Sequence, residues 1–198
     1  MLGPACMLPL AAALSVALLC AQGVRTQVVT RVVDGDTVRL DDGEAVRLLG
    51  IDTPERNEPL YTEASALLHR LVFECAVRLE YDRTRRDHYK RLLAHMWLGD
   101  TLVNELLVAS GLARVYLWPP DTLHRARLVE AQKAARNGKL GLWSLPPPRL
   151  EAHYVIHEGR MRFHRPGCPA ARGAHPLVAQ SRDSLLDLGY SACRTCRP

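Results

Sequence analysis

The fold of this chain is constrained most by the order of its segments. Short Val- and Thr-rich segments alternate with amphipathic ones. Apolar residues at helical spacing predict three helices, over residues 62–75, 101–111 and 119–137. Five segments have the composition of short strands, and the turn signal Asp41-Asp42-Gly43 separates the second from the third. These strands cover residues 27–33, 37–40, 45–51, 77–81 and 91–98.

Three strands, a helix, two strands and two helices therefore follow one another. Five short strands around one core, with helices at the side, favour a small closed barrel of the oligonucleotide-binding (OB-fold) type. The predicted fold class is α+β with a mainly β core. Hydrophobic residues make up 47% of the 198-residue chain and charged residues 24%, which is typical of a globular protein and argues against disorder.

A proline run divides the chain. Pro146-Pro147-Pro148 forms a stiff, extended segment, so we place a linker at residues 145–149 between a domain at 24–144 and a small module at 150–198. A module this short buries only a small hydrophobic core by itself. It therefore needs a further stabilising element, such as a bound metal ion or disulfides.

The N-terminal segment has the character of a signal peptide. The first 23 residues carry no charged side chain, and residues 7–19 are nearly all apolar. That length is short for a membrane span. Because Ala21-Gln22-Gly23 has the small-x-small pattern of a cleavage site, we expect residues 1–23 to be removed and the mature chain to be exported (secreted, periplasmic or at the cell surface). An uncleaved membrane anchor is the alternative.

Acidic residues follow two of the predicted strands. Asp36 and Asp52 lie in turns at strand ends, where side chains from separate strands can converge. Ca²⁺ binds about six to eight oxygens from carboxylates, carbonyls and water. The Thr53 carbonyl can supply one of them, because Pro54 keeps the preceding backbone extended. No His or Cys lies nearby in the sequence, which argues against zinc or copper at this place.

Arg47 and Arg91 complete this set of residues. A planar guanidinium pairs with two oxygens of a phosphodiester, whose charge increases in the transition state. Glu55 lies shortly after Asp52, where a carboxylate can activate water as a general base if a metal ion orients or acidifies that water. Carboxylates for a hard cation beside arginines for a phosphate indicate a metal-dependent phosphodiesterase, and hence a nuclease.

Each of these residues also has a purely structural interpretation. Asp34-Gly35-Asp36 could form only a turn, and Thr53-Pro54-Glu55 could only begin a helix. Arg47 and Arg91 could be exposed surface charges. Each interpretation is acceptable alone, but it is much harder for all of them to hold together.

Residues 27–143 resemble the staphylococcal nuclease (thermonuclease) family, and the matching motifs follow the family's order. The resemblance implies an OB-fold barrel with three helices and calcium-dependent cleavage of DNA and RNA that leaves 3′-phosphates. It makes Asp36, Asp52 and the Thr53 carbonyl calcium ligands, Glu55 the base or water-orienting residue, and Arg47 and Arg91 the phosphate clamps. The matching segments are Val33-Asp34-Gly35-Asp36-Thr37, residues 47–55, residues 87–94 and residues 103–113.

The same resemblance implies substrate contacts. Tyr89 would contact the substrate phosphate, and Tyr116 lies where the family has a substrate-facing tyrosine. His88 replaces a lysine of the family's substrate loop, and Lys90 and Leu92 stand where its best-known member has glycines. These departures leave the catalytic set complete.

Cysteines and a histidine form a second pattern in the tail. His164 and Cys168 precede the Cys193-x2-Cys196 pair, which is typical of a site with four protein ligands. Four ligands leave no open coordination position, so we expect a structural zinc ion that staples the module.

Two alternatives stay open for this pattern. His157 or His175 could replace His164 as the fourth ligand. In an oxidising compartment, Cys75 and the three tail cysteines could instead form two disulfides.

The tail also resembles the small metal-binding module of Ada-type DNA repair proteins, over residues 163–169 and 181–198. That module uses four cysteines, and His164 stands in place of one, so its methyl-transfer chemistry is not carried over. The arginines of the tail predict an accessory surface for nucleic acid, with a merely solvated surface as the alternative. They are Arg160, Arg162, Arg165, Arg172, Arg182, Arg194 and Arg197.

We therefore predict an exported, calcium-dependent nuclease with little sequence selectivity, because its contacts are to phosphates and not to bases. Its partner is DNA or RNA; no obligate protein partner is evident, and we expect a monomer. One alternative is a non-catalytic nucleic-acid-binding or DNA-capture protein at the cell surface. Another is a metal-sensing or repair-linked protein in which the tail is the active part.

Overall fold

The computed structural model describes residues 26–172, 175–177 and 181–198, so the predicted signal peptide lies outside the described residues. The contact pattern divides the chain into two compact units. The first contains the chain up to Leu49 together with Thr53–Leu107, and the second contains Gly50–Asp52 and Val108–Pro198. The linker at residues 145–149 lies inside the second unit, and the domain boundary placed there stays a prediction.

The described secondary structure comprises twelve strands and four α-helices. The helices are α1 (Tyr61–Val72), α2 (Val103–Ala109), α3 (Arg125–Asn137) and α4 (Arg182–Asp187). The strands are β1 (Thr26–Val32), β2 (Thr37–Leu40), β3 (Ala45–Leu48), β4 (Ile51–Asp52), β5 (Ala76–Glu80), β6 (Leu92–Leu98), β7 (Thr101–Leu102), β8 (Arg114–Val115), β9 (Tyr154–His157), β10 (Arg162–His164), β11 (His175–Leu177) and β12 (Ser191–Ala192).

A closed five-stranded barrel forms the core of the first unit, as predicted. Strand β1 pairs antiparallel with both β2 and β5, β2 pairs with β3, and β5 pairs with β6. The parallel pairing of β3 with β6, in the register Val46↔Leu92, closes the barrel. Its interior is apolar because alternate strand residues point inward, and α1 adds Ala64, Leu68 and Val72 to the buried set. The mainly β core with three helices of seven or more residues confirms the OB-fold prediction.

The predicted strand over residues 45–51 was wrong in one respect, because it is broken. β3 ends at Leu48, and the Leu49 amide still donates to the Ala94 carbonyl at 2.9 Å. Gly50 then has a φ of 75°, a left-handed conformation that glycine adopts without steric cost. The chain continues as β4, which pairs antiparallel with β8 in the second unit.

The boundaries of all three predicted helices also differ from the sequence prediction. Helix α2 is Val103–Ala109, because Thr101–Leu102 forms β7. Helix α1 ends at Val72 because Phe73 is extended and Glu74 has a φ of 58°. Helix α3 begins only at Arg125, since residues 118–121 form a turn in which the Asp121 amide donates to the Trp118 carbonyl at 3.0 Å. Its end at Asn137 agrees with the prediction.

The tail forms a four-stranded sheet of its own within the second unit. The strand order is β11-β9-β10-β12, with β10 and β12 parallel and the other pairs antiparallel. Tyr154 and Phe163 pack edge to face with ring centroids 5.4 Å apart, in a small core with Ile156, Leu185 and Leu186. The tail therefore buries more apolar surface than its length suggests. Among the described residues, no helix has both the length and the apolar character that a membrane crossing requires.

Candidate active site and metal cluster

Asp36 lies in the turn between β1 and β2 and is buried, with only 5% of its surface exposed. Its Oδ2 accepts hydrogen bonds from the Thr53 amide at 3.0 Å and from the Thr53 hydroxyl at 2.9 Å. Arg47 Nη1 forms an ion pair with the same oxygen at 3.0 Å. The Thr37 hydroxyl donates to Oδ1 at 3.2 Å. Both carboxylate oxygens are therefore held in a fixed orientation.

The turn that carries Asp36 depends on close packing. The Asp36 amide donates to Asp34 Oδ1 at 3.1 Å, which tightens the turn. A Cβ on Gly35 would lie 2.7 Å from Thr53 Oγ1 and 2.9 Å from Ala64 Cβ, so no larger residue fits there without movement. The Asp34-Gly35-Asp36 segment is indeed a turn, but one built around a buried carboxylate.

The environment of Asp36 is unfavourable to an isolated negative charge. Burial raises the pKa of Asp36 above its usual value, and the negative charge of Asp34 adds to the rise. Arg47 and the hydrogen bonds from Thr53 oppose that rise. A hard divalent cation would stabilise the ionised form further, because a bound ion is often the largest charge in its site. The oxygen donors present here suit such a cation.

Arg47 and Arg91 lie on the same side of the barrel as Asp36 and are partly buried, so they are not simple surface charges. Arg47 is on β3, where its Cα pairs with that of Thr37 on β2. Arg91 immediately precedes β6, and its Nη1 donates to the Thr37 hydroxyl at 3.3 Å. The side chains of Arg47 and Arg91 are 14% and 29% exposed. Through Thr37 and Asp36, the two predicted phosphate-binding arginines belong to one hydrogen-bonded cluster.

A tight loop from Asp87 to Arg91 orients the second arginine. Asp87 Oδ2 accepts from Arg91 Nε and pairs with Nη2, both at 2.7 Å. Its other oxygen accepts from the amides of Tyr89 at 2.9 Å and Arg91 at 3.0 Å. Lys90 has a φ of 70° within this loop. Asp87 belongs to the matching segment 87–94, but the sequence prediction gave it no role, although its i,i+4 spacing from Arg91 is visible in the sequence.

The predicted substrate-contacting residues of this loop are accessible. Tyr89 is 69% exposed, and the Arg91 guanidinium carbon lies 5.5 Å from the centre of its ring. The His88 ring lies against Tyr89, with centroids 3.7 Å apart. A loop with an exposed aromatic ring beside a guanidinium can contact both a base and a phosphate.

Glu55 is exposed in the segment that leads from Pro54 toward α1. The Glu55 amide donates to Glu58 Oε2 at 3.0 Å, and the Glu58 amide donates to the Glu55 carbonyl at 2.7 Å. Because α1 begins only at Tyr61, the interpretation of Thr53-Pro54-Glu55 as a helix start is wrong. The turn fixes the Glu55 backbone and leaves its carboxylate accessible to water.

Asp52 ends β4 and belongs to the second unit, where a tail residue contacts it. Arg194 Nε donates to Asp52 Oδ2 at 3.0 Å, and Arg194 Nη2 donates to Oδ1. Tyr116 is in the same unit, with the Arg162 guanidinium 3.4 Å and the Arg194 guanidinium 5.4 Å from its ring centre. One face of the predicted substrate-facing tyrosine is thus covered by an arginine, which the sequence did not reveal.

Two of the seven tail arginines, Arg162 and Arg165, are held by internal contacts. Arg160, Arg172, Arg194 and Arg197 are exposed, so the interpretation of the tail as a nucleic-acid-binding or solvated surface stays a prediction. Arg162 is buried and donates to the Leu117 carbonyl at 2.7 Å. Arg165 Nε donates to the Cys196 carbonyl at 2.9 Å, and Arg165 also pairs with Glu151. The burial of the Arg162 side chain keeps it from contacting a phosphate in solution.

Four potential metal ligands converge in the tail. The ligand atoms of His164, Cys168, Cys193 and Cys196 all lie within 4.8 Å of one another. The sulfurs of a tetrahedral zinc site, at about 2.3 Å from the ion, are roughly 3.8 Å apart. His164 Nδ1 is buried and lacks a hydrogen-bond partner, an arrangement that a metal ion would satisfy. These residues fit a metal ion and form the predicted four-ligand set.

The alternatives for this cluster find no support in the described residues. Cys168, Cys193 and Cys196 are free thiols, so the two-disulfide interpretation is wrong. Within the part of the chain that the structure describes, His164 belongs to the cluster and His157 does not. The side chain of His175 lies outside the described residues.

A closed OB-fold barrel with a buried carboxylate, one guanidinium paired with it and a second bonded to the neighbouring Thr37 has the residues expected of a barrel nuclease. The chain belongs to the staphylococcal nuclease homologue family, whose sequence model matches residues 45–145. It is therefore a nuclease, its substrate is a nucleic acid, and the interpretation as a non-catalytic binding protein is set aside.

Curated relatives agree with this assignment. The thermonuclease of Staphylococcus intermedius is 43% identical over 124 residues, which cover 58% of this chain and 74% of the relative. The thermonuclease of Staphylococcus hyicus is 40% identical over 129 residues, or 61% of this chain and 76% of the relative. The SPbeta prophage-derived endonuclease YokF of Bacillus subtilis (strain 168) is 37% identical over 125 residues, which cover 58% and 42% of the two chains.

Proposed function

We propose that this nuclease depends on calcium, is exported, and hydrolyses DNA and RNA with little sequence selectivity to leave 3′-phosphates. The observation that carries the proposal is the cluster of Asp36 with Arg47, Thr53 and Arg91. It combines a buried carboxylate for a hard cation with two partly exposed guanidinium groups for a phosphate.

The proposed cation site uses Asp36, Asp52 and the Thr53 carbonyl. Oxygen donors of this kind match the preference of Ca²⁺, and Asp52 and Thr53 are consecutive in the chain. When bound, the ion would polarise a phosphoryl oxygen and make a nearby water more acidic. The hydrogen bonds from Thr53 hold the Asp36 carboxylate ready for this role before the ion arrives.

The proposed reaction is attack of a water molecule on the phosphorus of the scissile diester with cleavage of the P–O5′ bond. The phosphate stays on the 3′ end, and the 5′ oxygen leaves as a hydroxyl after it takes up a proton from solvent. Glu55 accepts the proton of that water, for which its exposed carboxylate is accessible. Arg47 and Arg91 stabilise the negative charge that grows on the phosphoryl oxygens. Asp87 fixes the Arg91 guanidinium in one orientation, so the enzyme does not have to order that side chain during the reaction.

Phosphate contacts also explain the proposed lack of sequence selectivity. Guanidinium groups directed at phosphates position a nucleic acid but do not read its bases. The exposed ring of Tyr89 can stack on any base, since each base has a π-face. Single-stranded DNA and RNA are therefore the expected good substrates.

The second metal ion is proposed to be a structural zinc. His164, Cys168, Cys193 and Cys196 would fill all four positions of a tetrahedral site and leave none for a substrate. Its contribution would be to join β10 to the C-terminal Cys193–Cys196 turn and so stabilise the small core around Phe163. We further propose that the mature enzyme is a monomer.

The decisive experiment incubates the chain from Val24 onward with single-stranded DNA, in Ca²⁺ or in a calcium chelator. Glu55→Gln is run beside it, with Glu58→Gln as the matched control because Glu58 lies in the same turn. We expect calcium-dependent cutting that falls about 10²- to 10⁴-fold in Glu55→Gln and only slightly in Glu58→Gln. Cutting that is equal in chelator, or unchanged in Glu55→Gln, would overturn the proposed mechanism.

Two further measurements complete the proposal. Labelling of the product ends with and without prior phosphatase treatment would show whether the 3′ ends carry phosphate. Export is tested by expressing the full chain and determining by mass spectrometry whether the protein outside the cytoplasm begins near Val24. Protein that stays in the membrane fraction with residues 1–23 attached would favour the anchor.

A further inference from the structure

The contact between Asp52 and Arg194 joins a proposed calcium ligand to the metal-binding tail. The Arg194 guanidinium contacts both oxygens of the Asp52 carboxylate. The Asp52 side chain is 16% exposed and that of Arg194 is 53% exposed. Because the guanidinium is positively charged and hydrogen-bonds to both oxygens, a divalent cation at Asp52 has to share the carboxylate with Arg194 or displace it.

The backbone around Arg194 is held by hydrogen bonds of the turn that carries two of the proposed metal ligands. Arg194 follows Cys193 directly and lies inside the Cys193-x2-Cys196 turn. The Cys193 amide donates to the Phe163 carbonyl, and the Arg197 amide donates to the Cys193 carbonyl, both at 2.9 Å. These backbone hydrogen bonds place the turn on β10, so the Arg194 side chain starts from a fixed point.

The surroundings of Arg194 also restrict its side chain. Its guanidinium carbon lies 5.4 Å from the centre of the Tyr116 ring. The buried Arg162 lies against the same ring at 3.4 Å and brings a second positive charge. A neighbouring cation disfavours another cation, so Arg194 is best accommodated where the Asp52 carboxylate neutralises it.

We propose that Arg194 competes with calcium for the Asp52 carboxylate and so acts on the reaction through Asp52, as a positioning residue. The tail thereby raises the calcium concentration at which the enzyme works. The inference rests on the proposed role of Asp52 as a calcium ligand. An ion pair this accessible to solvent is weak, so the competition is modest and a bound calcium ion displaces Arg194. The tail therefore adjusts the calcium requirement of the reaction without blocking it.

The test is calcium binding to the full mature protein, measured by isothermal titration calorimetry with the tail metal already bound. We expect Arg194→Ala to lower the Kd for Ca²⁺ by about threefold to tenfold. Arg194→Lys keeps the charge but loses the two-pronged contact, so its Kd should lie between those of the wild type and Arg194→Ala. Arg149→Ala is the matched control, since it removes one exposed positive charge from the linker and should leave the Kd unchanged.

The outcomes separate competition from a structural role and from failure of the proposed site. If Arg194 only supported Asp52 structurally, Arg194→Ala would weaken calcium binding, which would overturn the inference. A Kd for Ca²⁺ that does not change in Arg194→Ala would also overturn the inference. In that case, weaker calcium binding in Asp52→Asn would still support the proposed calcium site. If Asp52→Asn had no effect on calcium binding, Asp52 would not be a ligand, and both the inference and that ligand assignment would be overturned.

Discussion

The Thr53 hydroxyl donates a 2.9 Å hydrogen bond to Asp36 Oδ2, and the amide of the same residue donates a second bond at 3.0 Å. One residue therefore orients a buried carboxylate with both its backbone and its side chain. Because Thr53 is only 6% exposed, water cannot readily replace a hydroxyl that is lost.

Replacement of Thr53 by valine keeps the volume and the backbone but removes the hydroxyl. Asp36 Oδ2 keeps the Thr53 amide and Arg47 as partners but loses one buried hydrogen bond. We expect the free energy of unfolding to fall by about 1–3 kcal/mol, the usual contribution of a hydrogen bond to a charged group. Urea unfolding measures this loss. The control is Thr62→Val, an exposed position at the start of α1, which should change stability by less than about 0.5 kcal/mol. Equal losses in the two variants would contradict the special role of Thr53.

Asp87→Asn should impair catalysis through Arg91. The substitution weakens the contacts that fix the Arg91 guanidinium, and misorientation of a phosphate-binding group is costly. We expect kcat/KM on single-stranded DNA to fall roughly tenfold to a hundredfold, with calcium affinity unchanged. Steady-state kinetics and calorimetry together test this expectation. A loss of calcium affinity of similar size would show that Asp87 acts on the metal site.

Asp87 should also contribute to the acid sensitivity of the protein. Partial burial tends to raise the pKa of Asp87, but hydrogen bonds from Arg91 and from the Tyr89 amide outweigh this effect and lower it. A carboxyl whose pKa is lower in the folded state stabilises the protein above its unfolded pKa of about 3.9 and loses that contribution as the pH falls through the folded value. The stability difference between the wild type and Asp87→Asn should therefore shrink on acidification from pH ~6 to ~3. Urea titrations at several pH values measure this difference in the free energy of unfolding. A difference that stays constant across the range would refute the prediction for Asp87.

Replacement of His164 should release the tail metal. We expect the purified wild-type protein to contain one tightly bound zinc ion and His164→Ala to lose most of it, with a lower melting temperature. Elemental analysis and thermal unfolding make the measurements. His157→Ala is the matched control because His157 lies on the neighbouring strand β9 and outside the cluster. Loss of zinc in the control and its retention in His164→Ala would reverse the ligand assignment.

Gly35→Ala should destabilise the barrel. The added methyl group would stand 2.7 Å from Thr53 Oγ1 and 2.9 Å from Ala64 Cβ, so the turn or α1 must move. Overpacking of this kind costs about 1–3 kcal/mol, which denaturant titration can resolve. In Gly159→Ala the nearest atom would be 3.8 Å away, and we expect almost no change. Equal stability of the two variants would show that the turn adapts without cost.

Much of the fold was predictable because its signals are local. The Val- and Thr-rich segments became β1, β2, β5 and β6 within about two residues, since alternation and turn residues mark strands in the chain itself. The break at Gly50 was not predictable, because a glycine in a strand-like segment does not show which conformation it adopts. The late start of α3 at Arg125 was hidden for a similar reason, as prolines begin both helices and turns.

Site residues that are close in the sequence were predictable, whereas contacts between distant residues were not. The Cys193-x2-Cys196 pair is recognisable in the sequence because both ligands come from one turn. The prediction that His164 and Cys168 join them in one cluster is confirmed. The contact of Arg194 with Asp52 joins residues 142 positions apart and leaves no local trace in the sequence. The burial of Arg162 was likewise invisible, since an arginine in a basic tail is usually solvated.

The parallel pairing of β3 with β6 has a consequence for how the chain reaches its folded state. Val46 meets Leu92 only after the intervening helix and strand have been brought into place, and contacts between such distant positions form slowly. Until then, both strands present unpaired backbone groups that could recruit another copy of the chain. The interval before the barrel closes is therefore when this nuclease is most exposed to aggregation, and its yield on refolding should fall as protein concentration rises.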